Sequence, residues 1–292
     1  MWTFEKAYAK INLALDCLYR RDDGYHELRM LMQSVELFDD LMIEITDSGL
    51  SSLELQGGSP EIPLDSTNLA LKAAEMFYSR TNLLNTGLHI RLKKRIPAGA
   101  GLAGGSSDAA AVLRGLNRLF GYPLTKLDLM RVGAEVGSDV PFCIEGGLSL
   151  AEGRGEKLRK LDCGYDCWIV LAKPSFSVST SSVFAKFEQS KVTTHPDITR
   201  GITLLEQGKI DAFGSTAGNV LESVTLADYP ELYALKQIMV EQGAAWAMMS
   251  GSGPTVFGIF ESLRKACSCF RDLDTEEKFI VKPYFGFNIG SE

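Results

Sequence analysis

Between Pro97 and Asp108 the chain runs Pro97-Ala98-Gly99-Ala100-Gly101-Leu102-Ala103-Gly104-Gly105-Ser106-Ser107-Asp108, with four glycines and two serines. Glycines let a backbone approach an anion closely and turn several N–H groups toward it. Ahead of the loop, Leu88–Leu92 alternates apolar and polar residues as a strand does. After it, Ala109, Leu113, Leu116 and Phe120 recur at helical spacing until Gly121 and Pro123 stop the run. A helix N-terminus at this place adds partial positive charge, so the loop reads as a phosphate cradle. Gly99 to Gly104 matches the G-x-G-x-x-G dinucleotide pattern, but the region about 20 residues on reads as helix and leaves Asp128 badly placed for the ribose. A Walker A loop needs Lys where Gly105 stands. A glycine-rich turn with no ligand is the third reading. So many glycines would then cost conformational entropy without packing anything.

Other residues could join such a site. Residues 6–17 alternate, with Ala7, Ala9, Ile11, Leu13, Leu15 and Cys17 on one face and Lys6, Tyr8, Lys10, Asn12 and Asp16 on the other. That is the pattern of a half-buried strand. It puts Lys10 and Asn12 on one polar face, either as working groups or as a solvated rim. Asp139 lies in Gly137-Ser138-Asp139-Val140-Pro141. Gly137 ends a predicted helix, and Pro141 is expected to hold Val140 extended. Asp139 is therefore fixed on a bend, as a reactive group or as a turn-stabilising one. Ser250-Gly251-Ser252-Gly253 is a second glycine-serine loop between two predicted strands. Two such loops make a shared anionic ligand more plausible than one does. Lys93-Lys94-Arg95 precedes the first loop and reads either as a phosphate partner or as a solvated strand end.

The elements that must position these groups are partly legible. A helix is predicted after Ser66 or Thr67 as N-cap, and another from Thr125 to Val136. Several strands are predicted across 27–56, a hairpin within 148–161, and a strand from Trp168 that stops before Pro174. Short helices are expected near 181–188 and 197–207, then a helix from Pro230 to Gly243. Strands at 244–249 and 255–260, a helix at 263–273 and a strand at 279–284 complete an α+β unit. The 292 residues suit two domains, placed at 1–160 and 161–292. With 45% hydrophobic and 23% charged residues, the chain should be a globular protein. Its net charge of −7 argues against nucleic-acid or membrane-surface partners. There is no run of transmembrane length and no signal-peptide pattern, so a cytoplasmic location is expected. The six cysteines lack paired C-x-x-C spacing and read as reduced packing residues rather than a metal site.

Three motifs in order resemble the GHMP kinase superfamily, which includes galactokinase, homoserine kinase and mevalonate kinase. They are Ala9-Lys10-Ile11-Asn12-Leu13, the loop from Pro97 to Ser107, and Ser250-Gly251-Ser252-Gly253-Pro254-Thr255-Val256-Phe257. Arg21-Asp22-Asp23-Gly24-Tyr25-His26, Gly101 to Ala110 and Gly137 to Pro141 resemble the branch acting on a cytidine-diphosphate-linked methylerythritol in non-mevalonate isoprenoid synthesis. The resemblance implies a two-domain α+β fold: a ribosomal-S5-like N-terminal domain holding the nucleotide and a ferredoxin-like C-terminal domain. It implies ATP as co-substrate with Mg²⁺, whose protein ligands it leaves unknown; Ser106 and Ser107 are candidates. The ATP phosphates would sit on Pro97, Ala98, Gly99, Ala100, Gly101, Leu102, Ala103, Gly104, Gly105, Ser106 and Ser107, with Asn68 and Lys94 toward adenosine.

Asp139 would take the proton of the substrate hydroxyl, with Lys10 beside it. Asn12 and Thr180 would contact the substrate. Tyr25 would stack on the cytosine, Phe184 would supply the second aromatic, and His26 would bond the base edge. A homoserine- or mevalonate-type kinase is the alternative, disfavoured by Tyr25-His26. A non-catalytic nucleotide-binding regulator is disfavoured by the presence of both Lys10 and Asp139. Ala103 stands where many members carry glycine, and it is expected to hold a conformation with negative φ. Asn219 is followed by Val220 where the family usually has Asp, and no role is assigned to that segment.

Overall fold

A computed structural model describes residues 1–57 and 62–286. The end of the predicted second domain, 287–292, lies outside them. The described chain divides into two compact units that interleave along the sequence. One comprises 1–9, 37–98 and 103–146; the other comprises 10–36, 99–102 and 147–292. Two long strands, β1 (Trp2–Arg20) and β2 (His26–Ile45), contribute residues to both units. The "several strands" expected across 27–56 are thus β2 followed by β3 (Ser51–Gln56).

In the first unit, α1 (Leu69–Thr81) is capped by Asn68, whose side chain accepts from the Ala70 N–H, and not by Ser66 or Thr67. The Asp65 carboxylate instead takes the Thr67 N–H and hydroxyl, a local turn that delays the helix by one residue. Next comes β4 (Leu88–Lys93), antiparallel to β2 through Asp40–Ile45 and parallel to β3. Helix α2 (Gly104–Leu119) is the centre of this unit: residues 107 to 117 are all buried. Gly115 makes that possible, since a Cβ there would lie 2.4 Å from Ile43 Cδ1. Arg114 is buried, and its guanidinium donates to the Glu5 carboxylate and to the Cys143 and Lys6 carbonyls. Thr125 caps α3 (Lys126–Val136), and Gly137 ends it, as the sequence indicates. Val140 is not extended. It opens a short helix, α4 (Val140–Glu145), because proline is tolerated in a first turn.

The second unit begins with the hairpin β5 (Leu148–Gly153) and β6 (Lys157–Lys160), with β5 antiparallel to β2 through Leu28–Gln33. Then follow β7 (Trp168–Lys173), α5 (Thr180–Lys186), α6 (Ile198–Glu206), α7 (Ile210–Phe213), α8 (Glu222–Asp228), α9 (Glu231–Glu241), β8 (Trp246–Met249), β9 (Val256–Phe260), α10 (Leu263–Asp272), β10 (Glu277–Val281) and β11 (Pro283–Tyr284). The sheet order β10-β7-β9-β8, all antiparallel, is the ferredoxin-like order expected of this part. Every residue of β9 is buried. No helix among the described residues is long and apolar enough to cross a membrane. All six cysteines are free thiols. Burial pushes Cys17 and Cys167 up to about 12, so these two are packing groups rather than nucleophiles.

Candidate active site

Lys10 and Asn12 share a face of β1, as the alternation predicts, but that face is covered: Lys10 is 4% and Asn12 1% exposed. The solvated-rim reading of Lys10 is therefore corrected. A buried ammonium needs partners, and Lys10 Nζ donates to Asn12 Oδ1 at 2.8 Å and to the Gly101 carbonyl at 3.1 Å. The backbone N–H of Lys10 also donates to the Leu102 carbonyl. One lysine is thus bonded through side chain and main chain to the same glycine-loop segment.

Within the second unit the two glycine-serine loops lie against each other. Ser250 Oγ donates to the Gly101 carbonyl at 3.0 Å, and the Thr255 N–H donates to the Ala100 carbonyl. Gly101 has φ +74°, and a Cβ there would sit 2.3 Å from the Ser250 carbonyl oxygen. Only glycine fits. Gly251, at φ +58°, brings its backbone over Lys10 and Asn12: a Cβ would stand 3.4 Å from Lys10 Nζ and 3.5 Å from Asn12 Oδ1. Gly99 lies similarly close to Ser177. Thr180, the first residue of α5, shares a 2.8 Å hydrogen bond with Ser252 Oγ, so it too faces the second loop.

Of the aromatic residues expected at the base, His26 and Phe184 meet each other, whereas Tyr25 meets Arg154. Arg21 to Tyr25 closes as a tight turn in which the Arg21 N–H donates to the Tyr25 carbonyl and Asp23 Oδ1 accepts from the Tyr25 N–H. Gly24 supplies the positive φ. Tyr25 is exposed, with the Arg154 guanidinium 4.9 Å over its ring. His26 stacks on Phe184 at 5.3 Å and 26° and meets Phe187 edge-on. Phe184 is half-buried rather than a core residue. In this arrangement the partner of Phe184 is His26 and not Tyr25, and 5.3 Å between centroids leaves no space for a base between those two rings. Burial, then the charge of Arg20, lowers the His26 pKa below the ordinary histidine value. That favours the neutral imidazole, in which one nitrogen donates and one accepts.

The first unit holds the remaining candidates. Ala103 has φ +57° and ψ +32°, the left-handed region, contrary to the negative φ expected of it. It is the N-cap of α2 and has no side chain to cap with. The 104, 105 and 106 N–H groups of the first turn thus belong to the set that an α-helix cannot bond internally. Ser107 is committed elsewhere: its hydroxyl donates to the Ala103 and Gly104 carbonyls at 3.0 Å each. Ser106 is the better placed of the two serines for a ligand.

Lys94 is not a solvated strand end. Its ammonium is buried between Asp39, at 2.5 Å, and Asp108, at 2.7 Å. Asp39 also accepts from the Arg95 and Ile96 N–H groups. Burial pulls Lys94 down, but the charges of Asp108 and Asp39 outweigh it and hold the ammonium above its usual value. Asp108 is raised to about 7, mainly by burial, with the Asp39 charge adding and Lys94 opposing. A Cβ on Gly104 would reach within 3.0 Å of Lys94 Nζ, so this triad lies directly beneath the start of α2. Asn68 is likewise committed, donating to the Pro63 carbonyl while capping α1. Asp139, half-buried at the start of α4, does not use its carboxylate as the helix cap.

Asp39 is not singled out by the sequence, and Asp108 and Arg154 are given no role by it. For Asp39 a signal was available: a carboxylate at an inward position of a strand pattern requires a cation.

The chain matches the family model described as GHMP kinases N terminal domain over residues 68–147, and the one described as GHMP kinases C terminal over 202–276. A 4-diphosphocytidyl-2-C-methyl-D-erythritol kinase of Clostridium botulinum (strain Alaska E43 / Type E3) is 44% identical over 94% of this chain and 96% of its own. The chain belongs to the GHMP kinases. Within that family, the enzyme of the same name from Bacillus pumilus is 47% identical over 89% of both chains. A crystal structure of 4-(cytidine 5'-diphospho)-2C-methyl-D-erythritol kinase superposes with a TM-score of 0.82 at 31% identity, covering 98% of this chain and all of that one. A homoserine kinase from Cytophaga hutchinsonii superposes at 0.75 with 18% identity over 97% of this chain and 95% of its own, a likeness of fold alone. The chain is a small-molecule kinase of the GHMP type.

Proposed function

We propose that this GHMP kinase transfers the γ-phosphoryl group of ATP to a hydroxyl of 4-diphosphocytidyl-2-C-methyl-D-erythritol, a step toward isoprenoid precursors. The observation that carries the reading is 43–47% identity, over most of the chain, to relatives named for that substrate. His26 on Phe184 beside an exposed Tyr25 supports it, because a pyrimidine needs an aromatic face and edge donors.

In the proposed reaction the hydroxyl oxygen forms a bond to the γ-phosphorus as the bond from that phosphorus to ADP breaks. Such transfers depend mainly on positioning and charge stabilisation. Asp139 accepts the hydroxyl proton. Lys10, whose Nζ is already oriented by Asn12 and Gly101, stabilises charge on the transferring group. Backbone N–H groups at the start of α2 and in the Gly99–Leu102 segment hold the phosphates. Asn12 and Thr180 contact the substrate; Tyr25, His26 and Phe184 bind cytidine. Asn68 and Lys94 serve the nucleotide by bracing the backbone near it, since their side chains are bonded within the protein.

No group of three or more metal-ligating side chains occurs among the described residues. Where Mg²⁺ accompanies ATP, the Ser106 hydroxyl in the first turn of α2 would offer it an oxygen ligand. The free thiols and the sequence composition fit a cytoplasmic enzyme.

The test is ADP release by the purified chain with the cytidine substrate, compared against homoserine and mevalonate phosphates. Turnover confined to the cytidine compound is expected, and preference for either other acceptor would replace this reading. Asp139→Ala is expected to lower kcat by about 10²–10⁴ while ATP still binds. A folded variant with near-normal kcat would remove Asp139 from the reaction.

A further inference from the structure

The segment Asn219-Val220-Leu221-Glu222, to which the motif comparison gives no role, is tied to the second glycine-serine loop at three backbone atoms. Asn219 is buried, and its amide group donates to the Met249 carbonyl at 2.9 Å and to the Gly251 carbonyl at 2.7 Å, the residues on either side of Ser250. Its own Oδ1 accepts from the Leu221 N–H, which fixes the amide orientation. Glu222 completes the grip from the other side: Oε1 accepts from the Met249 N–H at 2.8 Å, and Oε2 is held by Lys236 at 2.6 Å. The segment is itself anchored on β1. Leu15 N–H donates to the Gly218 carbonyl, and Val220 N–H donates to the Leu15 carbonyl. Val220 thus works through its main chain, which any residue can supply, and the absence of Asp at that position leaves the grip intact.

What the grip holds in place is Ser250 Oγ on the Gly101 carbonyl, the same oxygen that accepts from Lys10 Nζ. It also holds the Gly251 backbone over Lys10 and Asn12. We propose that Asn219, with Glu222 as its second arm, is a positioning residue that sets the location of the Lys10 ammonium through the Ser250 loop and Gly101. This rests on the phosphotransfer reading of Lys10 given above. Asparagine suits the task because its one NH₂ group must satisfy two carbonyls at once. Aspartate has the same shape and would present an acceptor to both.

The test compares Asn219→Asp, Glu222→Ala, Ser250→Ala and the double variant Asn219→Asp/Ser250→Ala. It measures kcat and KM for ATP and for the cytidine substrate, alongside amide hydrogen exchange of the 247–256 and 99–104 segments. A displacement of reacting groups on the order of 1 Å is worth about 10²-fold in rate. Asn219→Asp is therefore expected to lower kcat on that order with both KM values nearly unchanged, and to speed exchange in both segments. The double variant should lose little more than Asn219→Asp alone, because both changes act through one contact. Glu222→Ala, at a partly exposed position, should show the same signature more weakly, and it decides the matter if Asn219→Asp does not fold. Independent, additive losses, or faster exchange with unchanged kcat, would reduce Asn219 to a structural residue and overturn the proposal. If the wild type does not turn over the cytidine compound, the functional reading fails on its own. The exchange measurement still decides the brace: unchanged exchange at 99–104 in Asn219→Asp would overturn it.

Discussion

Replacing Gly101 by alanine separates backbone geometry from side-chain chemistry, since it adds one methyl group and no charge. Two penalties follow from the structure. The residue sits at φ +74°, and for an L-residue the left-handed region costs about 1–2 kcal/mol. The new Cβ would lie 2.3 Å from the Ser250 carbonyl oxygen and 3.0 Å from that of Gly253. Both are backbone atoms that no rotamer change can move aside. Relieving such overlap by shifting a packed segment costs about 1–3 kcal/mol. Against this stands the reduced freedom of the unfolded chain, about 0.4–1 kcal/mol in favour of alanine. The balance is a loss of about 1–4.6 kcal/mol, which for a domain of this size class lowers Tm by roughly 2–18 °C at about 2–4 °C per kcal/mol.

The internal control is Gly105→Ala in the same loop. Gly105 is helical, and its Cβ would touch only Leu69 Cδ1 at an ordinary 3.5 Å. Alanine is favoured over glycine in a helix by about 0.8–1 kcal/mol, so this variant should melt at or above the wild-type temperature. Scanning calorimetry on both variants, with kcat for each, decides the matter. The segment that Gly101→Ala displaces accepts from both Lys10 and Ser250, so a fall in kcat is expected with the fall in Tm. Equal melting temperatures for the two alanine variants, with Gly101→Ala fully active, would refute the reasoning that the two loops are locked at this glycine.

Two further outcomes follow from the charge and ring arrangements. The Asp108 pKa is raised above its unfolded value of about 4, to about 7, by burial and then by Asp39; its stabilising contribution is therefore complete at low pH and lost as pH rises through about 7. Asp108→Asn, measured by urea unfolding between pH 5 and 8, should show a weaker decline of stability with rising pH than the wild type, and parallel pH profiles would sink that assignment. Phe184→Leu removes the ring that supports His26 and should raise KM for the cytidine substrate by loosening the His26 ring, while KM for ATP stays put; a change in the ATP value alone would detach the pair from base binding.

What the sequence reveals of this site divides by the distance over which each cause acts. Thr125 as cap, Gly137 as stop and the helix from Pro230 to Gly243 were legible because the deciding hydrogen bonds lie within a few residues. The ferredoxin-like order of the second unit was not legible from the strand and helix series alone and came from the family resemblance, which the observed pairing bears out. Ala103 departs from the negative φ expected of its type because residue type states only a preference, and the N-cap of α2 takes the left-handed region here. The role of Asn219 was hidden because its two acceptors lie 30 and 32 residues further on.

Lys10 shows the limit most clearly. A period of two tells which residues share a face of a strand, and it placed Lys10 with Asn12 correctly. It does not tell whether that face meets water or another part of the chain. Here Gly101, 91 residues away, and the Ser250 loop cover it, and neither announces itself near Lys10. A lysine that the alternation leaves open between a working group and a solvated rim is thus a buried ammonium with fixed partners. In the proposed reaction, burial of that kind would give a single positive charge its strength at a phosphoryl group, because a cation held in place and away from water need not reorganise as negative charge develops beside it.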